Sequence, residues 1–85
     1  MLGVIRGLIL TDESYVLSGV AYGYGLLIIA NVTDGSTSVY NINAFNVEKI
    51  SDTDCGATVI KNGEYTLEIK RPSEKSTFFM FMSIR

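Results

Sequence analysis

The side chains that could do chemistry in this chain lack the partner that most enzyme sites need. No histidine occurs among its 85 residues, so a serine or cysteine nucleophile has no imidazole base, and the common zinc ligand sets cannot be assembled. The single cysteine, Cys55, stands between Asp54 and Gly56 without a neighbouring cation to favour its thiolate. We therefore expect a non-enzymatic protein with no metal and no cofactor.

The acidic and glycine-containing motifs do not change that expectation. Asp52 and Asp54 could act as a carboxylate pair on a glycoside, but two acids this close in a loop are typical of a solvated turn. A calcium loop starting at Asp52 would need glutamate at its twelfth position, where Gly63 stands. Gly23-Tyr24-Gly25 lacks the third glycine of a dinucleotide fingerprint and predicts a bend in a strand.

Binding is the chemistry that the remaining polar and aromatic residues allow. Tyrosines near glycines or strand ends, beside Asn and Asp side chains, are a common way to hold sugars or protein partners. The alternative for each tyrosine is packing in the core. The candidate ligand-binding residues are Tyr22, Tyr24, Asn31, Asp34 and Tyr40.

Length and composition indicate one small domain, residues 1–85, that needs help from a partner. The chain is 47% hydrophobic, and its only cysteine can form no internal disulfide. A core of this size supplies about 3 to 5 kcal/mol unless a disulfide, a metal or another subunit adds to it. The net charge of -2 disfavours binding to nucleic acid. The longest nearly apolar stretch, 15–30, contains three glycines and is shorter than the roughly 20 residues of a membrane helix, so we expect no membrane insertion.

Turn signals recur throughout the chain at the spacing of short strands, which predicts an all-β fold. We expect a small antiparallel, jelly-roll-like β-sandwich of about eight strands. The predicted strands are 2–10, 14–18, 24–31, 37–42, 45–50, 57–60, 64–70 and 76–84.

One hairpin has a clear sequence signature. Asn62-Gly63 suits the two central positions of a type I′ turn, so 57–60 and 64–70 should pair. Apolar residues at Tyr65, Leu67 and Ile69 alternate with polar ones, which predicts one buried and one wet face.

Two apolar runs break this alternation, Leu26 to Ile29 and Phe78 to Met82. A continuous apolar strand has both faces covered, yet a two-sheet domain covers only one, so a further copy of the chain should cover the other. The residues predicted at this oligomer interface are Leu27, Ile29, Phe78, Phe79 and Phe81.

The order of these features resembles the C-terminal knob domains of bacteriophage tail fibres and head fibres. A glycine precedes an apolar run, then come a polar hairpin, an aromatic-bearing strand, a polar loop, the Asn-Gly hairpin and a terminal apolar strand. The segments are Gly25-Leu26-Leu27-Ile28-Ile29, Thr33-Asp34-Gly35-Ser36, Val39-Tyr40, Ile50-Ser51, Lys61-Asn62-Gly63-Glu64-Tyr65-Thr66-Leu67 and Met82-Ser83-Ile84-Arg85. The resemblance covers roughly 13–85 and carries no family site residue.

The resemblance implies a homotrimer on the virion surface, without enzyme activity, that serves host attachment or particle stabilisation. Its partners would be other virion proteins or a host-surface glycan. No coiled-coil or glycine-rich shaft precedes the matching segment, so a capsid decoration protein is as consistent as a fibre knob. The alternative is a soluble carbohydrate- or protein-binding module of a larger assembly, with the cytoplasm as its location.

Overall fold

The computed structural model describes residues 14–72 and 75–84 in full and the backbone of 3–10. The predicted strand start at Leu2 and the ends of the family resemblance, residues 13 and 85, lie outside the described residues. The described residues form eight strands and one short 3₁₀ helix, Val20–Gly23. The strands are β1 Gly3–Leu10, β2 Ser14–Ser18, β3 Tyr24–Asn31, β4 Thr37–Asn43, β5 Asn46–Lys49, β6 Thr58–Lys61, β7 Thr66–Lys70 and β8 Thr77–Ser83.

The strands form two antiparallel sheets, which confirms the predicted all-β fold. The larger sheet has the order β1-β8-β3-β4-β5 and the smaller sheet the order β2-β7-β6. The terminal strands pair as in a jelly roll, with β1 beside β8 in one sheet and β2 beside β7 in the other. The middle of the chain departs from that scheme, because β3, β4 and β5 are consecutive neighbours in one sheet instead of crossing between sheets.

The core lies between the two sheets and follows the period of two expected for strands. Along β3 and β8 every second side chain is buried. Leu17 of β2 and Leu67 and Ile69 of β7 close the core from the smaller sheet. Two ring contacts cross the interior, Tyr15 with Phe79 and Tyr22 with Phe81, each with 5.2 Å between centroids.

The two apolar runs are strands, as predicted, but the parity of their side chains corrects the predicted interface. Four of its five members, Leu27, Ile29, Phe79 and Phe81, are 0 to 1% exposed in the single chain. They belong to the core, since a side chain without exposed surface has nothing to offer another subunit. Only Phe78 is directed to the outside of the larger sheet, where it is half-buried.

The β6–β7 hairpin is confirmed, but its two-residue turn is wrong. β6 ends at Lys61 and β7 begins at Thr66, so the connection comprises 62–65. The Asn62 N–H donates to the Thr66 carbonyl over 3.0 Å. Tyr65 has a left-handed φ of 61° and precedes the strand. It is therefore exposed instead of continuing the buried row of Leu67 and Ile69.

A two-residue turn joins β4 to β5, one residue later than the break predicted at 43–44. Asn43 pairs with Asn46, which leaves Ala44 and Phe45 as the central residues of the β4–β5 hairpin. Their φ values are 50° and 64°, and a type I′ turn requires positive φ at both positions. Glycine and asparagine are the usual residues at these positions. Phenylalanine favours a strand, and the sequence therefore placed Phe45 in the strand 45–50.

Candidate functional site

Four segments meet at one end of the sandwich and line an open pocket of about 370 Å³. They are the 3₁₀ helix, the first residue of β3, the β4–β5 turn and the β6–β7 connection. Sites for small molecules span about 300 to 1,000 Å³, so this end pocket is at the small end of that range. Its lining residues are Val20, Tyr24, Ala44, Phe45, Lys61, Glu64 and Tyr65.

Phe45 anchors the end pocket to the core. Its ring is only 7% exposed and belongs to the core cluster, and its backbone N–H donates to the Gly23 carbonyl over 3.1 Å. A Cβ atom at Gly23 would lie 2.7 Å from Cε2 of that ring, a distance that Cβ atoms do not adopt. Glycine at position 23 thus lets the Phe45 ring approach the 3₁₀ helix closely.

Tyr65 forms an exposed aromatic wall of the end pocket. Its ring packs against Phe45 with 5.8 Å between centroids and a tilt of 59°, yet half of the residue, 50%, is exposed. A left-handed φ costs a residue with a side chain about 1 to 2 kcal/mol, and an aromatic pair returns about 0.5 to 1.5 kcal/mol. The Tyr65 side chain therefore adds little net stability.

Backbone strain is concentrated at the end pocket. Among the described residues, three that are not glycine have positive φ, namely Ala44, Phe45 and Tyr65, and all three line it. Elsewhere the chain uses glycine for positive φ, as at Gly35 and Gly56. Clusters of strained residues of this kind are typical of functional sites.

The structure divides the predicted ligand-binding residues among three places. Tyr24 lines the end pocket. Tyr22 is half-buried against Phe81, and Tyr40 is 5% exposed in the core, where burial raises the pKa of its hydroxyl. Asn31, at the opposite end of β3, is about 23 Å from Tyr24 at 3.3 Å per residue. Asp34 lies beyond it in the β3–β4 turn.

Asn31 and Asp34 shape the β3–β4 turn. The Asn31 Oδ1 atom accepts a hydrogen bond from the Thr33 N–H, and the Asp34 carboxylate accepts two from Ser36. The Ser36 bonds hold the pKa of Asp34 below its ordinary value. The five predicted ligand-binding residues therefore do not form one site. Sequence reasoning found only Tyr24 among the residues of the end pocket, because nothing in the sequence marks a left-handed Phe45 or Tyr65.

The carboxylate pair at Asp52 and Asp54 has a structural explanation. The Asp54 carboxylate accepts a hydrogen bond from the Gly56 N–H over 2.7 Å and forms an ion pair with Lys49 over 3.4 Å. These two contacts lower the pKa of Asp54, with the Gly56 bond the larger cause. Asp52 is exposed, and the described residues contain no cluster of acidic or cysteine side chains suited to a metal ion.

The outer face of the larger sheet carries a row of half-buried apolar side chains. We define the outer apolar strip as the half-buried, outward-facing hydrophobic residues of β3, β4 and β8. Its members are Leu26, Ile28, Ala30, Val39, Phe78, Met80 and Met82. They are contiguous, because the register places Leu26 opposite Met82 and Ile28 opposite Met80.

Polar residues border this strip. On the β5 side Asn41 is exposed and pairs with Glu48, also exposed. An apolar centre with a polar rim is the common anatomy of a protein–protein interface. No helix in the described part of the chain is both long and apolar enough to cross a membrane.

Fold and surface together define a small β-sandwich with one apolar outer sheet face and a strained pocket at one end. Comparison with protein-family models, with curated proteins and with solved structures gives no match. The resemblance to phage knob domains therefore stays a prediction.

Proposed function

We propose that this chain is a non-enzymatic structural subunit of a bacteriophage virion surface, and that it assembles as a homotrimer through the outer apolar strip. It would serve as a fibre knob or a capsid decoration unit, in host attachment or in stabilising the particle. The observation that carries the assembly part is the strip itself, which a single chain leaves uncovered.

The contrast between the two outer sheet faces favours self-assembly. The strip is uncharged, with the exposed Glu48 at its β5 border, whereas on the smaller sheet Glu68 and Lys70 lie among the exposed Val16 and Ile60. Water solvates a mixed face of that kind at little cost in free energy. Covering an uncharged apolar strip with another apolar surface lowers the free energy. In a homotrimer, each copy can turn its strip towards the threefold axis, so that the edges of every strip contact the strips of both neighbours.

The size of the strip determines how strong the contact between copies is. Three strands about 4.8 Å apart and some 23 Å long give a face of about 300 Å². A standard interface buries about 800 Å² on each partner, so one strip contact is weak by itself. A capsid or fibre repeats equivalent contacts many times, so contacts that are weak singly can together hold the assembly.

The virion part of the proposal rests on the sequence resemblance over 13–85, and the two-sheet antiparallel architecture is compatible with it. The non-enzymatic part rests on the lack of histidine in the sequence. It is also supported by the local structural roles of Asp54, which holds its loop, and of Cys55, which is buried in the core.

The decisive test compares charge on the two outer faces. Met80→Lys places an ammonium in the strip, and Ile60→Lys places one on the smaller sheet at a residue that is already exposed. We expect Met80→Lys to sediment as a folded monomer and Ile60→Lys to keep the mass of the wild type. Equal masses for all three proteins would contradict assembly through the strip.

A soluble carbohydrate- or protein-binding module is the second candidate, and the end pocket is the observation that favours it. The residues first predicted for that role are too far apart to share one ligand, except that Tyr24 lies at the pocket. The end pocket therefore replaces the five residues predicted from the sequence as the candidate binding site.

A further inference from the structure

We infer that the end pocket is a carbohydrate-binding site that holds one sugar ring against Tyr65. The inference deepens the second candidate function and is independent of self-assembly. Six of the seven lining residues lie on turns, on the 3₁₀ helix or at the end of β6, whereas the outer apolar strip lies along β3, β4 and β8.

The lining has two kinds of surface, which matches the two kinds of surface on a pyranose. Phe45, Tyr24 and Tyr65 supply aromatic carbon, and an amphipathic ring packs its C–H face on such groups. Lys61 and Glu64 supply an ammonium donor and a carboxylate acceptor at exposed positions, and hydroxyl groups use both. Because the charges of Lys61 and Glu64 are opposite, the pocket has no net charge that would favour an anionic or a cationic ligand.

The conformation of Tyr65 is the observation that points to a ligand. Phe45 recovers the strain of its positive φ by burial in the core, but Tyr65 is half exposed and recovers little. Asparagine or glycine would adopt the same conformation more easily. A strained, exposed aromatic residue beside a cavity is explained when its ring contacts something that the free chain lacks.

The volume of the pocket limits the size of the ligand. About 370 Å³ accommodates one or two monosaccharide rings and excludes a longer chain from full enclosure. Few polar groups surround the ligand, so we expect dissociation constants of about 1 to 10 mM for a single sugar. Binding of that strength becomes useful when several copies act together.

The test is a titration of the labelled protein, followed by amide NMR, in the Met80→Lys background so that assembly does not obscure the signals. The probes are the methyl glycosides of glucose, galactose, mannose and N-acetylglucosamine, with benzyl alcohol as an apolar probe. We expect at least one glycoside to shift the amides of the β4–β5 turn and the β6–β7 connection in a saturable way.

Variants then assign the contact. Tyr65→Asn keeps the left-handed conformation, and we expect its binding to be about tenfold weaker, with a thermal midpoint equal to or above that of the parent. Glu64→Gln should weaken binding without changing the fold, and Val32→Asn, an exposed residue beyond the far end of β3, should bind like the parent.

Three results would overturn the inference. No shift at the pocket with any glycoside at about 100 mM would exclude a sugar site, and shifts that persist in both Tyr65→Asn and Glu64→Gln would place the sugar elsewhere. Binding of benzyl alcohol alone would make the pocket a site for apolar ligands. None of these results alters the sedimentation test of the outer apolar strip.

Discussion

Truncation of adjacent residues of β8 should cost very different amounts of stability, because strand parity places one in the core and the other on the surface. Phe81 is 0% exposed and its ring contacts Tyr22, whereas Met80 is half-buried and faces outward. Truncating a buried phenylalanine to alanine costs about 3 to 5 kcal/mol. A core of this size supplies a total stability of about 3 to 5 kcal/mol, so Phe81→Ala should be largely unfolded at 25 °C.

Met80→Ala removes a side chain that is already partly in water, and its cost in the single chain should be about 1 kcal/mol. Urea unfolding followed by circular dichroism and tyrosine fluorescence measures both values. Each variant is compared with the wild type at a concentration low enough to suppress assembly. Our assignment of the two faces would be refuted if Met80→Ala lost as much stability as Phe81→Ala, or if Phe81→Ala stayed within 1 kcal/mol of the wild type.

Three further predictions concern single positions. Gly25→Ala should cost about 3 kcal/mol, because its Cβ would overlap the Met82 carbonyl oxygen. Gly35→Ala meets open space and should cost only about 1 kcal/mol for its φ of 79°. Thermal unfolding of both variants measures the difference, and equal losses would contradict it. The folded pKa of Asp54 lies below its ordinary value of 3.8, so its stabilising contribution is present above that pH and is lost as the pH falls through the folded pKa. Asp54→Asn should flatten the acid limb of a plot of urea midpoint against pH, and an unchanged limb would remove this role. Cys55 is buried, so a thiol reagent should modify it far more slowly in the native protein than in urea, and equal rates would show that the site opens freely.

The strands could be predicted from the sequence because their signal is local. Alternating apolar residues indicated β7, and the long apolar run indicated β8. The sequence does not show which side chains of β8 point into the core, because every position from Phe78 to Met82 is apolar. The pairing of Phe79 and Phe81 across the sandwich with rings of Tyr15 and Tyr22 decides it.

The end pocket could not be predicted from the sequence because its residues come from four separate segments. Phe45 takes a conformation that its residue type disfavours, and the Gly23 backbone and the core around its ring maintain it. The Asn-Gly signal located the β6–β7 connection correctly, but local preference underestimated its length. The left-handed Tyr65 extends that connection and turns its ring towards Phe45.

The solution mass of the wild-type chain, measured by light scattering over a dilution series, decides whether the outer apolar strip joins copies of the chain. Assembly through the outer apolar strip predicts a species of three chains at high concentration that dissociates on dilution, because each strip contact is small. A monomer at every concentration would contradict the proposed assembly and leave the end pocket as the main functional feature of the molecule.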